Sequence, residues 1–210
     1  FQFIYLWCPL PRAAPPSCFT LAAFCNETMF RKFTREENVK SHAKVKSSEQ
    51  RGIRAAIVEQ YPALVEHIED ILPKKEPMLV CKCTNYIQLV LAPSGEFVFF
   101  QCRSGPFIPT LRLLHRYPDI LPKYQVDRGA IKFVLSGANI MSPGLTSAGG
   151  DMAEVPENSV VSIFAEGKEH ALAIGITVAS TATIRRDNKG IAVENTHYLK
   201  DDLWDLRAME

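Results

Sequence analysis

The sequence predicts an α+β chain of two consecutive domains. The first is an α+β unit whose helices precede a small antiparallel sheet, and the second is a small β-barrel. Three observations predict this. Apolar residues recur at helical spacing between positions 47 and 72. An apolar, β-branched run begins at Leu79 and folds back at Pro93-Ser-Gly95. Beyond Leu121-Pro122, short strands and turns follow one another at roughly ten-residue spacing, as in a barrel.

The chain opens on Phe1, and its first methionine is Met29. Pro9, Pro11, Pro15 and Pro16 break the opening stretch, so no apolar run nears the roughly 20 residues of a membrane span. No basic segment precedes it, as a secretory signal would need. Residues 1–28 therefore read as an artefactual or disordered extension. The first domain is expected over 29–121 and the second over 122–210.

A helix is expected from a Ser47 or Ser48 cap to about Gln60, with Ile53, Ala56, Ile57 and Tyr61 on its apolar side. Pro62 suits the first turn of a second helix. Its apolar face is Leu64, Val65, Ile68, Ile71 and Leu72, with Glu66, Glu69 and Asp70 in water. Pro73 stops it. Leu79 to Leu91 is β-rich, and the turn returns the chain along Glu96–Gln101. Thr110 opens a short helix through His115, and Pro118 ends it.

In the second domain, Asp127 can accept from free amides at a helix start. Ala130, Ile131, Val134 and Leu135 form that helix's apolar face. Gly137 supplies a left-handed stop. Ala138 to Met141 starts a strand, Pro143-Gly144 turns, and residues 142–158 read as a loop. Ser159–Ala165 and His170–Val178 form a hairpin around Glu166-Gly-Lys-Glu169. Ser180 or Thr181 caps a last short helix, and Gly190 leads into Ile191–Val193.

Nearly half of the 210 residues are apolar (47%), which supports a core and excludes disorder throughout. Six cysteines are too few for a disulfide scaffold, so a reduced, cytoplasmic protein is the default. The net charge of +1 is unevenly spread. Residues 29–121 carry 14 Lys+Arg against 10 Asp+Glu, a net +4, and residues 122–210 carry 9 against 12, a net −3. The densest basic stretch, residues 31–54, holds 8 cations against 3 acids. A solvated helix face is its simplest reading, with a ribosomal-RNA contact as the alternative.

Catalytic and cofactor signatures are missing. There is no phosphate-binding glycine loop, dinucleotide fingerprint or nucleophile elbow, and no cofactor is expected. Cys81 and Cys83 face one side of a strand, with Cys102 on the returning limb and His115 as a fourth donor. The spacing departs from structural zinc sites, and small buried hydrophobes are the simpler reading. Arg128 and Lys132 are four apart, so both project from one side of the expected helix. They lie at a helix start, where phosphate is favoured. Lys168 and His170 flank the hairpin turn, and Arg185 and Arg186 form a second exposed basic cluster.

The segment Val126 to Gly144 resembles the core of the PUA domain, an RNA-binding module named after pseudouridine synthase and archaeosine transglycosylase. Gly190 to Trp204 resembles its closing strand and end. From Met29 the chain is similar to the malignant T-cell-amplified protein family, through Pro73–Pro77, Gly105–His115 and Ile120–Pro122. It departs from the family's pattern at Ala148, where a proline is usual, and over Gly149–Asn158. The resemblance implies a C-terminal PUA-type barrel after a pre-PUA domain. It also implies a non-enzymatic translation factor that pairs with density-regulated protein on the 40S ribosomal subunit. Such a factor would act in reinitiation, non-standard initiation and the removal of deacylated tRNA during recycling, contacting rRNA and tRNA. The RNA-binding set expected on this basis is Arg128, Gly129, Ala130, Lys132, Gly137, Lys168, His170, Arg185 and Arg186. An RNA-modifying enzyme that docks through its PUA domain, and a protein adaptor without RNA binding, are the other readings.

Overall fold

The computed structural model describes residues 29–206, so the extension expected over 1–28 lies outside the described residues. The first domain opens with α1 (Arg35–Asn38), β1 (Val39–Lys44) and α2 (Ser47–Gln60). A 3₁₀ turn (Pro62–Leu64) and α3 (Ile68–Ile71) follow. Then come β2 (Leu79–Cys83), β3 (Ile87–Leu91), β4 (Phe97–Cys102), β5 (Phe107–Pro109) and α4 (Leu111–Arg116). The five strands lie in sequence order, every neighbour antiparallel.

Local chemistry explains much of this. Thr110 accepts from the Leu113 amide and caps α4, as expected. The α2 boundaries match the apolar pattern, but neither Ser47 nor Ser48 caps it; Lys46 stands at the cap with no side-chain bond. Instead α2 is fixed by tertiary contacts. Gln50 donates to the Pro73 and Glu76 carbonyls, and the buried Arg54 pairs with Glu69 at 2.7 Å. The second expected helix breaks into the 3₁₀ turn and one α turn. Leu64, Ile68, Ile71 and Leu72 still reach the core, while Val65 does not.

Two strand features depart from expectation. The run from Leu79 to Leu91 is interrupted at Thr84–Tyr86, a tight 3₁₀ turn. The basic stretch is not all helix, because β1 takes residues 39–44 and pairs with β2. Exposed Lys40 and Lys44 on this outermost strand discourage pairing with another chain.

The second domain contains β6 (Lys123–Val126), α5 (Ile131–Val134), β7 (Ile140–Met141) and α6 (Ser142–Thr146). It continues with β8 (Asp151–Met152), β9 (Val160–Ala165), β10 (Ala171–Thr177), α7 (Thr181–Asp187), β11 (Ile191–Tyr198) and α8 (Asp202–Asp205). The strands form one curled sheet in the order β7-β11-β10-β9-β6-β8, with β6 and β9 parallel. Register shifts along β10 and β11 bend the strands and give the curl. The expected 142–158 loop holds α6 and β8, two elements too short to show a period. Tyr124, Val126, Val161 and Ile163 fill the interior, and the buried Tyr124 hydroxyl lies 2.7 Å from the Thr181 hydroxyl.

One seam joins the two domains. Phe164, Ala171, Ile174 and Ile176 of the second domain belong to the first domain's core. His197 (1% exposed) stands edge-on to Phe30 and Phe100, its Nδ1 2.6 Å from Asp201 Oδ2. Asp201 also accepts from the Tyr198 and Trp204 amides. Asp202 accepts from the Phe33 amide, and its own amide donates to the Phe30 carbonyl. Arg112 of α4 donates to the Trp204 carbonyl at 2.6 Å and lies over the Trp204 ring. His115 joins them, with Nε2 2.9 Å from the Ala171 carbonyl and its ring against Trp204 and His170.

Replacing Asp201 with Ala strands His197 and uncaps α8. It should cost about 3 kcal/mol, read as a lower urea midpoint. Burial pushes the His115 imidazole below its ordinary value, the Ala171 carbonyl opposes this, and His170, His197 and Arg112 add to it. The fold thus favours neutral His115. Its contribution is whole above the free imidazole value of about 6.5 and is lost as pH falls through the lower folded value. Melting temperature should drop as pH is lowered from about 7.5 to about 5, and His115→Phe should remove part of that drop.

Candidate nucleic-acid interface

The expected ledge forms around the chain between β6 and β7. Val126 ends β6, and residues 128–130 make a turn before α5. Asp127 does accept from the Ala130 amide, through Oδ1 at 2.9 Å. The helix it was expected to start is only the four residues of α5, so Arg128 precedes it rather than sharing a face with Lys132. A single turn has little macrodipole. The Asp127 carboxylate also occupies the ground in front of Gly129, its Oδ2 3.5 Å from where a β-carbon would stand. The Ala130 amide is therefore taken by a resident carboxylate, whose charge disfavours an anion beside it. Any phosphate contact falls to the cationic side chains.

Those side chains are open. The Arg128 side chain is 80% exposed, with Nε 3.5 Å from Glu166 Oε1. Gly129 and Lys132 are exposed too, while Ala130 is half-buried against Gly144. Because β6 and β9 are parallel, the end of β6 lies beside the β9–β10 turn, and Glu166 donates its amide to the Val126 carbonyl. This brings the exposed Lys168, two residues on, to the same end of the sheet.

Other expected residues take different places. Gly137 has φ +84°, and the Gly137 and Ala138 amides donate to the Val134 and Phe133 carbonyls, closing α5. A β-carbon at Gly137 would lie 2.8 Å from the Tyr198 ring, so this glycine serves packing. His170 does not stand free in the turn; its ring lies 5.1 Å from His115 at the domain seam. Arg185 pairs with Glu154 and donates to the Met152 carbonyl, and Arg186 makes a forked pair with Asp187. Both sit on α7, which follows β10 and lies against β8 through the Met152 carbonyl. One neighbour escaped the sequence reading. Phe133 is 55% exposed, with the Lys132 ammonium 4.9 Å from its ring centroid. The signal was present, since Phe133 falls outside the apolar face formed by Ala130, Ile131, Val134 and Leu135.

The metal candidates disperse. Cys81, Cys83 and Cys102 are buried in the first sheet, and Cys102 pairs with Ile87 across β3 from β2. Two strand spacings, roughly 10 Å, separate it from the β2 thiols. His115 lies at the seam instead. Burial pushes the Cys83 thiol up to about 12, so it stays protonated and unreactive. Among the described residues, no three His, Cys, Asp or Glu are grouped to hold a metal ion.

With this geometry in place, two family models match the chain: a Pre-PUA-like domain over residues 33–118 and a PUA domain over residues 122–199. A malignant T-cell-amplified sequence 1 homolog from Drosophila melanogaster is 52% identical over 182 residues, covering 87% of this chain and all of that protein. Malignant T-cell-amplified sequence 2 of Homo sapiens is 49% identical over 180 residues, covering 86% of this chain and 99% of that protein. The chain belongs to the malignant T-cell-amplified sequence family. Solved structures agree on the fold. A hypothetical protein from the archaeon Pyrococcus horikoshii OT3 superposes with a TM-score of 0.66 at 23% identity, covering 80% of this chain and all of that one. A PUA domain protein from Thermoplasma acidophilum gives a TM-score of 0.58 at 19% identity, covering 79% and 98%. Family membership and a PUA domain support an RNA-binding role, and no helix among the described residues is long and apolar enough to cross a membrane.

In this family member, Gly137→Ala places a side chain in a left-handed backbone and against Tyr198. It should lower stability by at least about 1–2 kcal/mol, measured by urea unfolding.

Proposed function

We propose that this protein is a non-catalytic, cytoplasmic RNA-binding translation factor. In this reading it pairs with density-regulated protein and acts on the 40S subunit in reinitiation, non-standard initiation and the removal of deacylated tRNA during recycling. One observation carries it: a chain of this family presents Arg128 and Lys132 in the open, with Lys168 at the same end of the sheet. Arg128 is held only loosely, by a 3.5 Å pair with Glu166. A surface pair of that kind is worth little in water and yields readily to a phosphate.

No bond need be made or broken. The work is differential affinity between states of the ribosome. RNA would be read through phosphates and shape rather than base edges. An RNA-modifying enzyme of the pseudouridine type needs a nucleophilic Asp in a cleft. Asp70 and Asp119, the first domain's two aspartates, are both exposed, and Asp119 pairs with Lys123 at 2.7 Å. The adaptor reading draws on the second domain's net −3, and on Glu154 and Asp187 engaging Arg185 and Arg186.

Arg128→Ala with Lys132→Ala should weaken RNA or 40S binding. The slope of log K against log salt should shrink by roughly 1.5 to 2. An unchanged slope in a folded protein would remove these residues from the interface. Affinity purification from cytosol followed by sedimentation should carry small subunits and one further chain with this protein.

A further inference from the structure

The strongest feature outside the second domain lies at one end of the first sheet. Tyr86, on the turn joining β2 to β3, is 73% exposed. Arg103, just after β4, places its guanidinium 5.2 Å from the Tyr86 ring centroid, and its amide donates to the Tyr86 carbonyl at 2.8 Å. The backbone here is strained. Asn85, Tyr86 and Arg103 all have left-handed φ values, 56°, 59° and 54°. Glycine and asparagine visit that region readily, but tyrosine and arginine do not, so the strain falls on Tyr86 and Arg103. A tyrosine kept there, outside the core, returns no burial to the fold. Uncompensated strain of this kind marks contact sites.

Charge selects the ligand. Asn38 donates to the Thr84 hydroxyl, which sets α1 against the turn, and Val39 and Ser41 pair with Cys83 and Lys82. Arg35, Lys40 and Lys82, all exposed, thus lie on the elements that flank the Tyr86 turn. Glu36 and Glu37 are the acids on the same short helix. Among the described residues, no carboxylate lies within ion-pair distance of Arg35, Lys40, Lys82 or Arg103, whereas Arg128, Arg185 and Arg186 each have one. An open aromatic face among unneutralised cations fits an unpaired base between phosphates.

We propose that Tyr86, backed by Arg103, is a stacking seat for an unpaired RNA base, with Arg35, Lys40 and Lys82 taking the flanking phosphates. The inference rests on the RNA-binding reading above but assigns a second contact to the other domain. The test uses the full chain and fluorescence anisotropy with a labelled single-stranded RNA of about 12 nucleotides, and with the blunt duplex of the same sequence. Tyr86→Gly removes the ring and relieves the backbone, so its melting temperature should hold or rise. Its single-strand Kd should rise about tenfold or more, while duplex binding stays within about twofold. Tyr86→Phe should bind like the parent. Unchanged single-strand affinity in Tyr86→Gly overturns the proposal, and if Arg128→Ala with Lys132→Ala weakens binding in the same assay, the RNA-binding reading survives. A parent that binds neither RNA overturns both. Loss of a co-purifying protein from Tyr86→Gly with RNA affinity intact makes this a protein contact and likewise overturns it.

Discussion

Asp201 holds the two domains in one arrangement. Its carboxylate is 2% exposed and takes hydrogen bonds from His197, the Tyr198 amide and the Trp204 amide. A buried carboxylate is tolerable only when satisfied in this way. Each donor then fixes something further. His197 presents its ring edge to Phe30 and Phe100, tying β11 to the first domain's sheet. The Trp204 amide starts α8, which sets the carbonyl and ring that Arg112 engages. The segment around Phe30 and Phe33 is clasped through Asp202. The seam is a shared core rather than a contact between two finished domains.

Much of this fold was legible wherever a local signal decides structure. The Thr110 and Ser180 caps, the left-handed Gly137 and the 166–169 hairpin each follow from chemistry within a few residues. Elements set by distant partners were hidden. β1 is polar along its length and is a strand because β2 offers it an edge. The Thr84–Tyr86 turn carries no glycine or proline, and while Asn85 suits its left-handed backbone, Tyr86 does not. The domain seam was least visible, because His115, His170 and His197 lie far apart in sequence and nothing local marks them as neighbours.

The candidate interface shows the same division. Arg128 and Lys132 could be named from sequence because a basic pair beside a glycine-containing turn is a local pattern. Asp127 as a cap was legible too; that its carboxylate would stand against an anion on the same turn was not. The cap satisfies a backbone amide permanently and leaves recognition to side chains. Arg185 and Arg186 illustrate the converse. They form a cluster by sequence, but Glu154 and Asp187 neutralise them on the surface. Counting cations along a chain does not count those still available.

Charge is divided unevenly between the two domains. The second has the RNA-binding fold but a net −3, with Arg128, Arg185 and Arg186 paired and Lys132 and Lys168 exposed; the first has a net +4, with Arg54, Lys74 and Arg116 paired and several exposed cations beyond ion-pair distance of any described carboxylate. On the proposed RNA-binding reading, long-range attraction to a polyanion would fall to the first domain and shape recognition to the second. The shared core matters to that reading, because once one surface is bound, the other would be held at a high effective concentration over its own target. The gain exists only where an RNA assembly offers both targets at the spacing the seam imposes. On that reading, fixed geometry would give selectivity for a large folded RNA to a protein whose individual contacts carry little sequence information.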